Sequence, residues 1–252
     1  MQPIELFVFP TSPYAMKVAC YLAYQQRDYQ AIGVSPISFE QVAFTGRRQV
    51  PVLKIGNEWK QDSHDIGLWL EEKFPGSQLL GNSETERASI IDLDQWISNQ
   101  VIPGAFRLVV DWPSISIGLR NGWKLAAAVN RSTPIPFWVQ WMWPVFLRKA
   151  KFILAMMDNL DRSQSLEQAQ KNTVEEFIRR LAGGTFLGGR DQPSLADLSA
   201  FPVIVFSWRF GLQGEECWVS SPAVRAWIEA VQQYLPDNPF LVSTDQLPRA
   251  LP

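Results

Sequence analysis

The sequence predicts an α/β domain followed by an all-α domain, on three observations. Up to about residue 75 the elements order as strand, helix, strand, helix, hairpin, helix. From about residue 84 onward, apolar side chains mostly recur at helical steps with no sustained alternation. Between these regions, Pro75 to Ser83 is short and rich in turn-formers, as a linker is. The boundaries so read are 1–76 for the α/β domain, 77–84 for the linker and 85–252 for the helical domain.

Ile4 to Phe9 is a short apolar run stopped by Pro10, which suits a buried strand. Ser12-Pro13 reads as a helix start, with serine as the N-cap and proline at the first helical position. Tyr14, Val18 and Leu22 carry that helix to about Gln26 at four-residue steps, and Tyr29 to Val34 suits a second strand. Residues 36–45 read as a short helix or loop. Val50 to Ile55, the Gly56-Asn57 turn and Glu58 to Gln61 make a hairpin. Ile66, Leu70 and Phe74, behind Asp62 and Ser63, mark a helix that ends at Pro75. Beyond the linker, residues 84–102, 145–161, 165–182, 195–210 and 221–235 read as helices. The intervening residues 103–144 hold five prolines and five of the eleven tryptophans, and periodicity alone does not assign them.

Composition excludes several function classes. A chain of 252 residues with 46% hydrophobic content can bury a sizeable core. Its net charge of −2, with 19% charged residues, does not advertise a basic surface for nucleic acid. Cys20 and Cys217 are distant, so a disulfide framework is not expected, and Cys20 reads as a small buried apolar group. His64 is the only histidine, too little for a zinc site, and no Gly-x-Ser-x-Gly elbow accompanies it for hydrolase chemistry. No signal-peptide pattern opens the chain, and no run of about 18 apolar residues would span a bilayer. A soluble, reducing, cytoplasmic setting is the expectation.

Four strings then combine in order. Thr11-Ser12-Pro13-Tyr14-Ala15-Met16-Lys17-Val18 is similar to the Ser-Pro-Phe/Tyr start of the first helix in several glutathione transferase classes. Gln49-Val50-Pro51-Val52-Leu53 resembles the same family's Val-Pro segment. Asp62-Ser63, eleven residues past Pro51, resembles its Glu/Asp-Ser pair, and Ser194-Leu195-Ala196-Asp197 resembles its Ser/Thr-x-x-Asp helix cap. With family-like gaps over some 200 residues, the chain resembles the serine-type glutathione S-transferase superfamily. That resemblance implies a thioredoxin-like N-terminal domain, an all-helical C-terminal domain, a cis bond before Pro51, glutathione as co-substrate with no metal, and a homodimer. It also implies detoxification-type chemistry on a small hydrophobic electrophile. Residues 103–144 depart most from the family's pattern.

The resemblance implies a role for each string. A glutathione thiol titrates near 8.5 and needs help to ionise at neutral pH. A helix N-terminus supplies a partial positive charge, and a hydroxyl at its cap supplies a directed hydrogen bond. Ser12 is placed for that role, or else it only caps the helix. Because position 12 is serine and position 15 is alanine, dithiol oxidoreductase chemistry is disfavoured. Val50, turned by a cis Pro51, would pair its backbone with the cysteinyl backbone of glutathione, as an added strand does. Gln49 would assist through its amide or is a solvated hairpin residue. The Ser63 hydroxyl and the helix N-terminus suit the γ-glutamyl carboxylate and Asp62 its ammonium, or the two form an ordinary cap. His64 reads as a solvated or capping residue, and Arg47, Arg48 and Lys60 either reach the glycyl carboxylate or are solvated. Ser194 and Asp197 read as structural capping residues.

Six of the eleven tryptophans fall between positions 96 and 143. They suit core, subunit interface, electrophile pocket or interfacial membrane contact. Two functions follow: an enzyme transferring the glutathione thiolate to an apolar electrophile, or a non-catalytic binding or interaction protein on the same fold.

Overall fold

The structure is a computed structural model that describes residues 2–158 and 160–252. Its N-terminal part runs β1 (Ile4–Val8), α1 (Pro13–Tyr24), β2 (Gln30–Gly33), a short 3-10 helix (Glu40–Thr45), β3 (Val52–Ile55), β4 (Glu58–Gln61) and α2 (Ser63–Lys73). The four strands form one mixed sheet in the order β2-β1-β3-β4. β1 lies parallel to β2 across the α1 crossover, and β3 is antiparallel to both β1 and β4.

Strand alternation assigns the two faces of this sheet. Leu6, Val8, Leu53 and Ile55 join the main core with α1 and α2, while Phe7 and Val52 point the other way onto Val34 and Val42. Helix α1 is covered on all sides, and every residue from Ala15 to Leu22 is buried, Lys17 included. At Gly67 of α2 an added Cβ would stand 2.9 Å from Leu195 Cδ1 and 3.1 Å from Tyr21 Cε2. A glycine there lets α2 settle against the helical domain.

The rest of the chain is helical: α3 (Glu84–Trp96), α4 (Ile102–Val110), α5 (Ile115–Ser132), α6 (Phe137–Lys149), α7 (Lys151–Met156), α8 (Leu166–Arg180), α9 (Leu195–Phe201), α10 (Ser207–Phe210), α11 (Glu216–Ser220) and α12 (Pro222–Gln232). Two π-turns, Ile97–Val101 and Pro202–Phe206, join α3 to α4 and α9 to α10. Each sits beside a proline, Pro103 or Pro202, that has no N–H for the α-helical ladder. The core is continuous from Leu6 and Leu53 through α1 to Phe201, Trp227 and Val231.

Residues 103–144, unassigned by periodicity, form most of α4, all of α5, the first part of α6 and the two short connections between them. The helix expected over 145–161 is corrected: α6 begins at Phe137, runs through Pro144 to Lys149, and gives way to a separate α7. The proline is tolerated because its ring fills a gap on α5, where a Cβ on Gly122 would lie 2.6 Å from Pro144 Cβ. Likewise the stretch 195–210 is one helical path interrupted at Pro202.

The helical domain also encloses a cavity of about 170 Å³ lined by Gln100, Arg107, Gln170, Thr173 and Glu215, among others. Glu215 is 2% exposed, and its Oε1 has no hydrogen-bond partner among the described residues. Burial, with Glu216 beside it, pushes its carboxyl up to about 8. The unfolded chain releases this proton near 4.5, so folding stability falls as pH rises from there toward 8. Glu215→Gln is therefore expected to stabilise the fold at pH 8 by roughly 2 kcal/mol, and to do little at pH 4. Urea unfolding at the two pH values checks this.

Candidate functional site

Sheet register brings the predicted residues to one edge. Phe7 stands beside Val52 and Val52 beside Gln61, so the next row is Val8, Pro51 and Asp62. With neighbouring strands about 4.8 Å apart, that row spans roughly 10 Å. Ser12 follows Val8 by one short turn, Val50 precedes Pro51, and Ser63 opens the helix after Asp62. Two helix N-termini, those of α1 and α2, thus begin at the same end of the sheet, and their unpaired N–H groups make it electropositive.

Ser12 is the N-cap of α1, with Pro13 as its first helical residue. Its Oγ accepts the Ala15 N–H at 3.4 Å, a long contact, and its own O–H donates to no described residue. The neighbouring Tyr14 hydroxyl is committed elsewhere. Burial and the Asp62 charge push its phenol well up, and its O–H donates to the Ser98 carbonyl at 3.0 Å. The bond between Val50 and Pro51 is cis. Pro51 is buried, and the Val50 backbone makes no hydrogen bond with another described residue. Gln49 is exposed; its carbonyl accepts from Gln61 Nε2 at 2.9 Å, which braces the loop against β4.

Asp62 caps α2, and its carboxylate accepts the His64 N–H at 2.9 Å. Its backbone is held at φ 78° and ψ 129°, a conformation that costs a non-glycine residue of order 1–3 kcal/mol. Ser63 is only 4% exposed, yet its hydroxyl bonds to no other described residue. A nearly buried hydroxyl at a helix N-terminus has a free donor, as the helix's first N–H groups do.

The His64 side chain, read from the sequence as solvated or capping, is partly buried and bonds across to the helical domain instead. Its Nδ1 lies 2.7 Å from Asp94 Oδ2. Asp94, fully buried on α3, also accepts from Lys17 Nζ at 2.9 Å and from the Ser199 hydroxyl, and Tyr21 O–H approaches at 3.4 Å. Lys17, equally buried, donates a second bond to Ser98 Oγ at 2.8 Å, at the π-turn after α3. Burial opposes ionisation of Asp94, but the Lys17 ammonium and the bonds from His64 and Ser199 prevail and hold its carboxyl down at about 2. The hydrogen bond to Asp94 in turn raises His64. Sequence reasoning missed this network although a signal was present: Lys17 and Asp94 each interrupt a helix's apolar run.

Ser194 and Asp197 close a capping box at α9. The Asp197 carboxylate, wholly buried, accepts from the Ser194 N–H (2.9 Å), the Ser194 hydroxyl (2.8 Å), the Leu187 N–H (2.9 Å) and Trp227 Nε1 (2.8 Å). It lies within the helical core and serves folding. Asp197→Ala orphans these donors and is expected to cost about 3 kcal/mol of stability in denaturant unfolding, while ligand affinity of the folded fraction stays unchanged.

The tryptophans do not share one role. Trp96 and Trp143 pack against the core, and Trp112 lines an open cleft of about 460 Å³ with Arg107, Asp111 and Arg162. Trp123, Trp138 and Trp141 lie exposed on the surface.

Similarity to known proteins agrees with this geometry. The family model described as the glutathione S-transferase N-terminal domain matches residues 6–78, and that of the glutathione S-transferase C-terminal domain matches residues 136–230. Among solved structures, poplar glutathione transferase F1 is 16% identical, with 92% of this chain and 93% of that chain covered at a TM-score of 0.62. A glutathione S-transferase from Rhodospirillum rubrum F11 is 20% identical, covering 91% of this chain and 87% of its own at 0.59. Glutathione S-transferase-I, solved with lactoylglutathione bound, is 19% identical, covering 92% and 98% at 0.57. With both domain models matched in order on a fold of the same architecture, the chain belongs to the glutathione S-transferase superfamily.

Proposed function

We propose that this chain binds glutathione along the Val8–Pro51–Asp62 row and transfers its thiolate to an electrophilic, fairly apolar small molecule. The observation that carries the reading is the meeting of two helix N-termini at one sheet end, one capped by a hydroxyl with a free donor and the other holding a nearly buried, unpartnered hydroxyl. In this reading residues 1–76 form the glutathione-binding domain.

The γ-glutamyl carboxylate sits at the N-terminus of α2, bonded by Ser63, and Asp62 takes the ammonium. Val50 offers its backbone N–H and C=O to the cysteinyl residue in the manner of an added strand, with Gln49 at the rim. The sulfur then lies by Ser12, whose O–H donates to the thiolate while the α1 N-terminus stabilises the charge. The sulfur lone pair attacks the electrophilic carbon, a carbon–sulfur bond forms, and the leaving group departs with its electron pair. The chain's contribution is positioning and thiolate stabilisation.

Capture on immobilised glutathione, followed by turnover of a generic aryl halide by wild type and Ser12→Ala, tests the reading. No capture would overturn the site assignment and the enzyme together. Capture without turnover across a panel of electrophiles would assign the chain a non-catalytic binding role instead. The homodimer implied by the resemblance belongs to the same proposal, and a light-scattering mass twice that of the chain is its expected result.

A further inference from the structure

The segment from Trp112 to Met157 contains six basic residues (Arg120, Lys124, Arg131, Arg148, Lys149, Lys151) and no aspartate or glutamate. The chain's net charge is −2, so the remaining residues carry −8 between them. That concentration of positive charge coincides with the largest group of exposed aromatic side chains. On α6, Phe137, Trp138, Trp141, Met142 and Phe146 follow one another along a single side of the helix, opposite Val139 and Pro144, which face the core. Phe152 on α7 and Trp123 on α5 extend the patch, and Trp123 packs on Trp141 with ring centroids 5.6 Å apart. Phe137, Trp138, Trp141 and Phe152 are between 62% and 74% exposed. Exposure on this scale, over adjoining helices, marks an interaction surface rather than scattered surface residues.

We propose that the α6–α7 face is a peripheral docking surface for an anionic lipid bilayer, independent of the glutathione site. Charge decides between the candidate occupants. A second copy of the same face would bring Arg120, Lys149 and Lys151, none of them paired with a described carboxylate, against their own copies at close range, which is repulsive. A bilayer bearing anionic headgroups satisfies both kinds of group at once. The aromatic rings enter the boundary between headgroups and acyl chains, and Lys149, Lys151 and Arg120, exposed and in no ion pair among the described residues, reach the phosphates. The indole N–H groups of Trp138 and Trp141 donate to no described residue and face the layer where lipid ester oxygens lie. No described helix is long and apolar enough to cross a membrane, so the chain lies on the surface with α6 in its plane.

Sedimentation with phosphatidylcholine vesicles containing about a third phosphatidylglycerol tests the proposal, with pure phosphatidylcholine vesicles and added salt as controls. The full chain is expected to partition onto the anionic vesicles, to be released by salt, and to show a blue-shifted tryptophan emission when bound. Lys149→Gln with Lys151→Gln should weaken partitioning about 30-fold, and Trp138→Ser with Trp141→Ser roughly 100-fold. Circular dichroism verifies that both variants stay folded, and the two pairs remove different properties of the face. Absence of binding by the wild type, or binding unchanged in both variants, would overturn the proposal. So would a wild-type dimer that Trp138→Ser with Trp141→Ser converts to monomer, because the face would then be a contact between copies.

Discussion

Replacing Asp94 with alanine is expected to lower the unfolding free energy by about 3–5 kcal/mol, read as a shift of the urea midpoint. Lys17 would be left as an uncompensated ammonium in a fully buried position, and Ser199, Tyr21 and His64 would lose their shared acceptor. The double variant Lys17→Met with Asp94→Leu is the informative companion. Removing both charges together is expected to recover most of the stability, because an apolar pair of similar volume avoids the desolvation that the ion pair incurs. Failure of the double variant to recover would assign the loss to the hydroxyl partners instead.

The same network predicts a pH response with a definite sign. The folded-state value of Asp94 lies below its ordinary 3.8, so its contribution is present in full above that pH and is lost as pH falls through about 2. His64 is raised, so the part of the network that depends on its charge is complete below 6.5 and is lost as pH rises through its folded-state value.

Ser12→Ala is expected to reduce the turnover number for an aryl halide by about 10² to 10³, the usual cost of removing one hydrogen-bond donor to a reacting anion. The KM for glutathione should change little, because Val50, Asp62 and Ser63 hold the tripeptide in this proposal. A separate signature identifies the mechanism: the pH at which the rate reaches half its maximum should move up, toward the ordinary thiol value of about 8.5. A loss of activity with an unmoved pH profile would reduce Ser12 to a helix cap, a role that contributes only about 1 kcal/mol to stability.

Much of this was legible before any coordinates. Ser12-Pro13, the Gly56-Asn57 hairpin and the Ser194/Asp197 box are local signals, each closed within a few residues, and each is where the sequence places it. The row that collects Val8, Pro51 and Asp62 was legible only through the family's spacing, because strand register depends on which strands pair. Two kinds of feature escaped. Helix boundaries in 103–144 are obscured by prolines that π-turns and the Gly122–Pro144 fit accommodate, and neither device has a local signature. The Lys17–Asp94–His64 network joins residues separated by up to 77 positions, so no window along the chain contains it. Only the burial of a charge on two apolar stripes hinted at it, and such a hint names no partner.

That buried ion pair has a consequence for modularity. One charge belongs to a helix of the α/β half and the other to the helical half, and neither half alone can neutralise the one it holds. Grafting onto this C-terminal half a foreign N-terminal half that lacks a lysine at position 17 leaves Asp94 buried without its ammonium. The two halves are therefore expected to melt in one cooperative transition, and positions 17 and 94 to be exchangeable among relatives only as a couple.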